Sequence, residues 1–140
     1  MKVLLDTNVV LDVLLDREPY AASASQLFSR VENGELVGAI CATTVTTIHY
    51  LTTKALDAQQ ALENVKKLLH LFEIAAVNRA VLEAALEAGF VDFEDAVIDA
   101  SARHTDAVAI VTRNGADFAQ AQLPIYSPDE LLVILAARQV

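Results

Sequence analysis

Residues 2–8 read KVLLDTN, a short apolar run that ends in a carboxylate and two small polar side chains. A run of this kind, bounded by polar residues, is typical of a buried strand in a parallel sheet. Thr7 or Asn8 could then cap a helix that extends through Leu15, because valines and leucines recur there at helical spacing. The opening of the chain therefore predicts a strand that leads directly into a helix, with Asp6 at the junction.

The same alternation of apolar runs and helical spacing continues along the chain. Four more strands are predicted, at residues 36–41, 72–77, 107–112 and 124–126. Helices are predicted at residues 19–31, 43–54, 57–71, 78–88, 92–105 and 116–120, and a last helix follows Ser127. Asp57 is predicted to open the helix 57–71, and Asn78, Asp92 and Ser127 are predicted to cap the helices that they precede. Short apolar strands that alternate with helices predict an α/β fold, a three-layer α/β/α sandwich around a mostly parallel sheet of about five strands. We expect residues 1–140 to form one domain.

Composition narrows the classes of function. The chain has 140 residues, 54% of them hydrophobic and 21% charged, which is typical of a folded globular protein. Ten basic and nineteen acidic residues give a net charge of −9, which argues against a broad basic surface for nucleic acid. An enzyme that binds a phosphodiester through metal ions is not excluded. A single cysteine, no signal-peptide pattern and no apolar run of about 18 residues favour a cytoplasmic protein that is not bound to membranes.

Asp6 stands at the carboxyl end of the first predicted strand, where parallel sheets bind their ligands. A carboxylate at this place is costly to bury without a partner. Two interpretations are open: Asp6 is a cap for the following helix, or it is a metal ligand.

Residues 92–99, which read DFEDAVID, place four carboxylates at the start of a predicted helix. Acidic residues in a first helical turn interact favourably with the helix dipole, which accounts for Asp92 and Glu94. The dipole accounts less well for Asp95, which stands beside apolar positions, and does not account for Asp99. Because Asp92, Asp95 and Asp99 lie at i, i+3 and i+7, we expect them on one helical face, with Asp95 directed at a site.

Residues 111–118, which read VTRNGADF, follow the fourth predicted strand and put polar groups on a tight turn. One interpretation is an Asn-Gly turn with an aspartate cap. The other is functional: Asp117 and Asn114 supply oxygens to a cation, and Arg113 lies near a phosphate.

Asp6, Asp95 and Asp117 would meet near one edge of a parallel sheet. Clustered carboxylates repel each other, and a divalent cation such as Mg²⁺ or Mn²⁺, which prefers oxygen ligands, neutralises them. Such a cation can activate water and stabilise charge on a phosphoryl group. The three histidines are single and scattered, which argues against zinc, and glycine-rich nucleotide-binding motifs are absent.

With these three stretches in place, the sequence resembles the PIN-domain family. Residues 3–8 resemble its opening strand with a D-T-N motif, residues 92–96 its acidic helix start, and residues 112–114 with 117–118 its closing T-R-N-x-x-D-F motif. The resemblance extends over nearly the whole chain. It implies a ribonuclease that cuts RNA phosphodiesters with Mg²⁺ or Mn²⁺, similar to single-domain VapC toxins, which typically form homodimers and are inhibited by a small antitoxin protein.

The family's motifs imply roles for individual residues. Asp6 takes the first metal-ligand position, Asp95 the central one, and Asp117 or Asn114 the last, so the three aspartates are the expected catalytic residues. Further candidates are Asp92 and Asp99 as supporting or additional ligands, Asn8 and Thr112 within the motifs, and Arg113 as a phosphate-binding residue.

One departure from the family concerns a glutamate that usually stands in the helix after the second strand. Residues 43–51 contain no acid, and Thr47 stands near the glutamate's position. Since a threonine hydroxyl cannot supply the missing charge, the alternative is a degenerate PIN-like domain that binds a protein partner without cutting RNA.

A phosphohydrolase for small phosphate esters is disfavoured because Asn8 stands where a D-x-D motif needs an acid. A homodimer is also expected, since the apolar stretch 131–137 must be covered on most sides.

Overall fold

The computed structural model describes residues 1–138 and contains five strands in one sheet. All strand pairs are parallel, and the order across the sheet is third, second, first, fourth, fifth. The predicted parallel sheet is confirmed, while residues 139–140 of the predicted domain lie outside the described residues. The strands are β1 (Lys2–Leu5), β2 (Val37–Cys41), β3 (Glu73–Ala75), β4 (Ala109–Val111) and β5 (Ile125–Tyr126).

Seven α-helices and one short 3₁₀ helix surround these strands within residues 1–138. Parallel strands need long crossover connections, because the chain must return to the same end of the sheet each time. The helices are α1 (Thr7–Leu14), α2 (Ala21–Glu32), α3 (Ala42–Ala55), α4 (Ala58–Leu71), α5 (Arg79–Glu87), α6 (Phe93–His104) and α7 (Pro128–Arg138), with the 3₁₀ helix at Gly115–Phe118.

Two apolar cores lie on opposite faces of the sheet. Successive side chains of a strand point to opposite faces, so Val3 and Leu5 of β1 enter one core and Leu4 enters the other. The first core is built with α1, α2, α3, α4 and α7, and the second with α5, α6 and the 3₁₀ helix. Helices on both faces of a parallel sheet make the three-layer α/β/α sandwich that the sequence predicts.

The direction in which the chain builds the sheet reverses at β1. From β1 the chain proceeds outwards through β2 to β3, and then returns to place β4 and β5 on the other side of β1. In open parallel sheets a crevice forms at such a reversal, at the carboxyl ends of the neighbouring strands. Here Asp6 follows β1 and Thr112 follows β4, and the two side chains are hydrogen-bonded to each other.

The predicted N-terminal caps of four helices are confirmed. Their side chains accept hydrogen bonds from backbone N–H groups of the first turn, which would otherwise lack partners. The cap of α6 fixes the start of the helix that carries Asp95. The capping residues are Asp57 for α4, Asn78 for α5, Asp92 for α6 and Ser127 for α7.

The starts of the first two helices differ from the prediction. Asp6 caps α1, because its Oδ1 accepts a hydrogen bond from the Thr7 amide at 2.7 Å, and Thr7 and Asn8 already lie inside the helix. Helix α2 begins at Ala21 and not at Pro19, which belongs to the preceding turn. The capping interpretation of Asp6 therefore holds for one of its two oxygens.

Helix α7 packs against the rest of the chain on one side only. Leu131 and Leu135 are buried, whereas Val133 is 70% exposed. The sequence predicts that the apolar stretch 131–137 is covered on most sides. Within residues 1–138, the chain itself covers this stretch on one side only. Neither α7 nor any other helix within residues 1–138 is long and apolar enough to cross a membrane.

A close approach inside the sheet gives a test of this packing. A Cβ on Gly38 of β2 would lie 2.6 Å from the Phe72 ring and 3.0 Å from Val31. Gly38→Ala should lower the free energy of unfolding by about 1–3 kcal/mol, since the ring must move within a packed core. Gly115→Ala is the matched control, because its Cβ would meet Ile125 at an ordinary 3.8 Å. Urea denaturation compares the two, and equal midpoints would contradict the packing.

Candidate active site

A polar cleft of about 310 Å³ lies where β1 and β4 end, next to the start of α6. The structure thus brings together the three predicted carboxylates Asp6, Asp95 and Asp117 from separate parts of the chain. Two further acids, two arginines and three other polar residues line the same space. These are Asp92 and Glu94, Arg17 and Arg113, and Thr7, Asn8 and Asn114.

Asp6 is 7% exposed, and both of its oxygens accept hydrogen bonds. Oδ1 accepts from the Thr7 amide at 2.7 Å and Oδ2 from the Thr112 hydroxyl at 2.8 Å. Burial raises the pKa of Asp6, while the hydrogen bonds from Thr112 and Thr7 oppose that rise because they favour the charged form. Asp6 is therefore a carboxylate in a fixed orientation that caps α1 and also lines the cleft.

Thr112 links the residues around Asp6. Its hydroxyl donates to Asp6, accepts from the Asn8 Nδ2 group at 3.3 Å and accepts from the Asn114 backbone N–H at 3.1 Å. Asn8 in turn accepts from the Arg113 backbone N–H at 3.3 Å through its Oδ1. These bonds join the stretch that follows β1 to the stretch that follows β4, so Asn8 and Thr112 hold the two in register.

Asp95 lies in the first turn of α6 and is half-buried. Its pKa is raised to about 7, first by partial burial and then by repulsion from Asp92, Asp6, Asp117 and Glu94. The carboxylates of three separate segments therefore act on each other across the cleft. A proton or a cation would relieve this repulsion.

Asp99 does not join the cleft. It is buried, pairs with Arg103 at 3.3 Å, and lines a separate cavity of about 250 Å³ with Gln120 and Gln122. Burial raises the pKa of Asp99, and the Arg103 charge opposes that rise. Four helical residues advance the chain by about 6 Å, which carries Asp99 away from the sheet edge where Asp95 lies. Of the three aspartates predicted to share one helical face, Asp92 and Asp95 therefore line the cleft and Asp99 does not.

Thr47 of α3 is half-buried and is not among the side chains that line the cleft. The α3 side chain that reaches the stretch after β1 is the buried Thr44, whose hydroxyl lies 2.9 Å from the Thr7 hydroxyl. Helix α3 contains no acid. Thr47, which the family resemblance places near an expected glutamate, thus contributes no charge to this cleft.

One buried carboxylate beside the cleft is not among the predicted site residues. Asp12 of α1 is fully buried, accepts two hydrogen bonds from Arg113 at 2.6 and 3.1 Å, and accepts one from Arg17 at 2.8 Å. Hydrogen bonding to Asp12 raises the pKa of Arg113. The signal in the sequence is a lone acid within the apolar run 9–14, since a carboxylate on a buried helix face needs a cationic partner.

The donor set of the cleft fits Mg²⁺ or Mn²⁺ by its chemistry. The lining side chains offer carboxylate and amide oxygens, which hard divalent cations prefer. The repulsion that raises the Asp95 pKa is what a cation would relieve. Within residues 1–138, no group of three or more acidic, histidine or cysteine side chains is arranged so that it could hold a metal ion. The arrangement suits a cation that keeps several water ligands beside one or two carboxylates.

Comparison with known families assigns the chain to one of them. The family model described as the PIN domain matches residues 2–116, so this chain belongs to the PIN-domain family. The matched stretch contains Asp6 and Asp95, and Asp117 follows directly after it. A comparison with curated protein sequences gives no match.

Solved structures of toxin–antitoxin proteins share the fold. DNA-bound VapBC from Salmonella typhimurium gives a TM-score of 0.72 at 17% identity, over 91% of this chain and 98% of that chain. A toxin–antitoxin complex from Klebsiella pneumoniae gives 0.68 at 25% identity, over 90% and 97%. The Mycobacterium tuberculosis VapC20, a sarcin–ricin loop cleaving toxin, gives 0.62 at 13% identity, over 77% and 86%. The resemblance to PIN domains that the motifs indicate is confirmed.

The raised pKa of Asp95 gives a pH dependence that can be measured without a substrate. The pKa rises from an ordinary value of 3.8 to about 7 in the folded protein. The folded state holds this proton more tightly, so Asp95 destabilises the fold progressively as the pH rises from 3.8 through about 7. In the metal-free protein, Asp95→Asn should raise the free energy of unfolding by about 1 kcal/mol near pH 8, after allowance for solvent screening, and should give no gain near pH 4.

Urea unfolding in EDTA at the two pH values measures this difference. Asp106→Asn is the matched control, because Asp106 is exposed and its φ of 63° is a conformation that asparagine tolerates. A gain from Asp95→Asn that does not grow with pH would contradict the crowding of carboxylates.

Proposed function

We propose that this chain is a metal-dependent endoribonuclease that hydrolyses RNA phosphodiester bonds, with Mg²⁺ or Mn²⁺ as cofactor. We further propose that it acts as the toxin of a toxin–antitoxin pair. The observation that carries the proposal is the meeting of Asp6, Asp95 and Asp117 in one cleft of a PIN domain, near enough for mutual repulsion to contribute to the rise of the Asp95 pKa to about 7.

Asp6, Asp95 and Asp117 are the proposed metal ligands and catalytic residues. A divalent cation bound by them would lower the pKa of a bound water and stabilise charge on the phosphoryl group. Asp6 is already oriented by Thr7 and Thr112. Asp95 would give up its proton to such a cation, because the proton and the cation compete for the same negative charge. Further proposed oxygen donors at the cleft are Asn114 and Asp92.

RNA is the proposed substrate class. The structurally similar VapC20 is a sarcin–ricin loop cleaving toxin, which supports RNA over a small phosphate ester. Arg113 lines the cleft beside the carboxylates and is the proposed phosphate-binding residue. Because the whole chain carries a net charge of −9, RNA affinity depends on such local positive groups and should weaken steeply with salt.

A small antitoxin protein is the proposed partner. The similar structures from Salmonella typhimurium and Klebsiella pneumoniae are toxin–antitoxin complexes. A groove of about 880 Å³ could bind an amphipathic helix of such a partner. Its lining comes from α1, α2 and α4 and includes Val13, Leu14, Phe28, Leu68 and Leu71, with Lys66 and Lys67 among the polar residues.

A homodimer and a cytoplasmic location complete the proposal. Exposed apolar side chains support a second copy as partner, since Leu86 of α5 is 72% exposed and Val133 of α7 is 70% exposed. The single cysteine, Cys41, is buried and free, which suits a reducing compartment.

A PIN-like domain that binds a protein without cutting RNA is the second candidate function. It is favoured by the threonine near the usual glutamate position, because Thr47 carries no charge and does not line the cleft. Both candidates allow an antitoxin-like partner, so only a measurement of cleavage separates them.

Cleavage of a mixed RNA pool by the purified protein tests the leading proposal. We expect cleavage with Mg²⁺ or Mn²⁺ that EDTA abolishes. Asp6→Asn and Asp95→Asn should each lower the rate by about 100-fold or more, because each removes charge that holds the cation. Asp106→Asn, which removes one exposed acid away from the cleft, should cut at the wild-type rate.

Two outcomes of that experiment would count against the nuclease. No cleavage with either cation, from folded protein free of antitoxin, would favour the binding module. Cleavage that persists in EDTA or in Asp95→Asn would contradict the proposed metal centre.

The partner groove gives a separate prediction. Leu71→Asp should weaken co-purification of this chain with the proposed antitoxin, when the two are co-expressed, by at least about tenfold, because an unpaired charge is costly in an apolar groove. Leu69→Asp is the matched control, since Leu69 is 53% exposed on the same helix and does not line the groove. Equal retention of the partner by both folded variants, checked by thermal melting, would place the antitoxin elsewhere.

A further inference from the structure

Two arginines share one buried carboxylate at the cleft. Asp12 Oδ1 accepts hydrogen bonds from Arg17 Nε at 2.8 Å and from Arg113 Nη2 at 3.1 Å, and Oδ2 accepts from Arg113 Nε at 2.6 Å. The Asp12 side chain is 1% exposed, whereas those of Arg17 and Arg113 are 38% and 23% exposed. The carboxylate therefore lies inside the protein while both guanidinium groups reach its surface.

The second arginine is more than the burial of Asp12 requires. Arg113 alone gives this carboxylate a bidentate partner, which is the strong geometry for such a pair. Arg17 adds one bond to Asp12 and one to the Asn8 carbonyl at 3.3 Å. Since two guanidinium groups face one carboxylate, an excess positive charge remains beside the acids of the cleft.

Both guanidinium groups keep donors for a ligand. Within residues 1–138, the Nη1 groups of Arg17 and Arg113 have no hydrogen-bond partner. Both side chains line the cleft that holds Asp6 and Asp95. Arg113 Cζ lies over the Tyr20 ring, 4.0 Å from the ring centroid, and this cation–π contact helps to hold the guanidinium group in place.

The pair of Asp99 with Arg103 is another buried aspartate–arginine pair, and there, within the described part of the chain, Asp99 Oδ1 has no hydrogen-bond partner. The Asp99 side chain is 2% exposed, and a single arginine bonds to it, at 3.3 Å. That pair lies outside the cleft. Two arginines on one carboxylate thus occur at Asp12, whose arginine partners line the cleft of the carboxylates.

We propose that Arg17 and Arg113, positioned by Asp12, form a phosphate subsite that binds the RNA backbone without help from the divalent cation. The inference rests on the proposed ribonuclease function and deepens it, since it adds Arg17 as a second phosphate-binding residue and Asp12 as a positioning residue. A phosphate that neighbours the scissile one is the expected occupant, because both arginines line the cleft of the carboxylates. Guanidinium forks of fixed orientation suit phosphate oxygens.

Binding of a labelled single-stranded oligoribonucleotide in EDTA, from about 20 to 200 mM salt, tests the subsite without cleavage. Arg17→Gln should weaken binding about tenfold at the lowest salt and reduce the slope of log affinity against log salt by about 0.7, as for one lost phosphate contact. Arg103→Gln is the matched control, because it removes the same charge and also a partner of a buried aspartate, outside the cleft. Its slope should equal that of the wild type.

Asp12→Asn gives a second readout, with folding of each variant checked by thermal melting. It removes a negative charge, so unspecific electrostatics would tighten RNA binding, whereas loss of the positioned arginines should weaken it about threefold.

Several results would overturn the subsite. Equal slopes for Arg17→Gln and wild type, or the same loss in Arg103→Gln, would do so, and tighter binding by Asp12→Asn would remove the positioning role. Failure of the wild type to bind RNA in EDTA would overturn the subsite as well, while cation-dependent cleavage decides the nuclease proposal separately.

Discussion

The hydrogen bond from the Thr112 hydroxyl to the Asp6 carboxylate is the contact on which the rest of the cleft depends. It joins residues 106 positions apart, across the point where the order of strands reverses. Because Asn8 and Asn114 bond to the same hydroxyl, one threonine orients both stretches that line the crevice. The donors to Asp6 also oppose the rise in its pKa on burial, which favours a charged carboxylate beside Asp95.

Much of the fold and part of the site can be predicted from the sequence, because they depend on local rules. Apolar runs of strand length separated by helical spacing predict the parallel sheet, and single capping side chains such as Asn78 and Asp92 predict where helices begin. Ligands of parallel sheets bind at the carboxyl ends of strands. That rule places Asp6, Asp95 and Asp117 at one edge, where the structure has them in one cleft.

The remainder of the site depends on contacts between distant segments, which local patterns do not encode. Asp12 shows no function by itself, since its bidentate partner Arg113 stands 101 residues away. Helical periodicity shows which residues share a face of a helix, but it does not show which face lies towards the edge of the sheet. Periodicity therefore does not show that Asp99 lies outside the cleft. It also does not show that Thr44 of α3, and not Thr47, contacts the stretch after β1.

The crowded carboxylates are the proposed cation site, and a cation bound there would displace the proton of Asp95. Calorimetric titration with Mn²⁺ near pH 6.5, in two buffers of different ionisation enthalpy, measures both the binding and the proton release. We expect saturable binding that releases a measurable fraction of a proton per ion, and far weaker binding without proton release in Asp95→Asn. Absence of saturable binding, or equal binding with no proton release in both proteins, would contradict the proposed cation site.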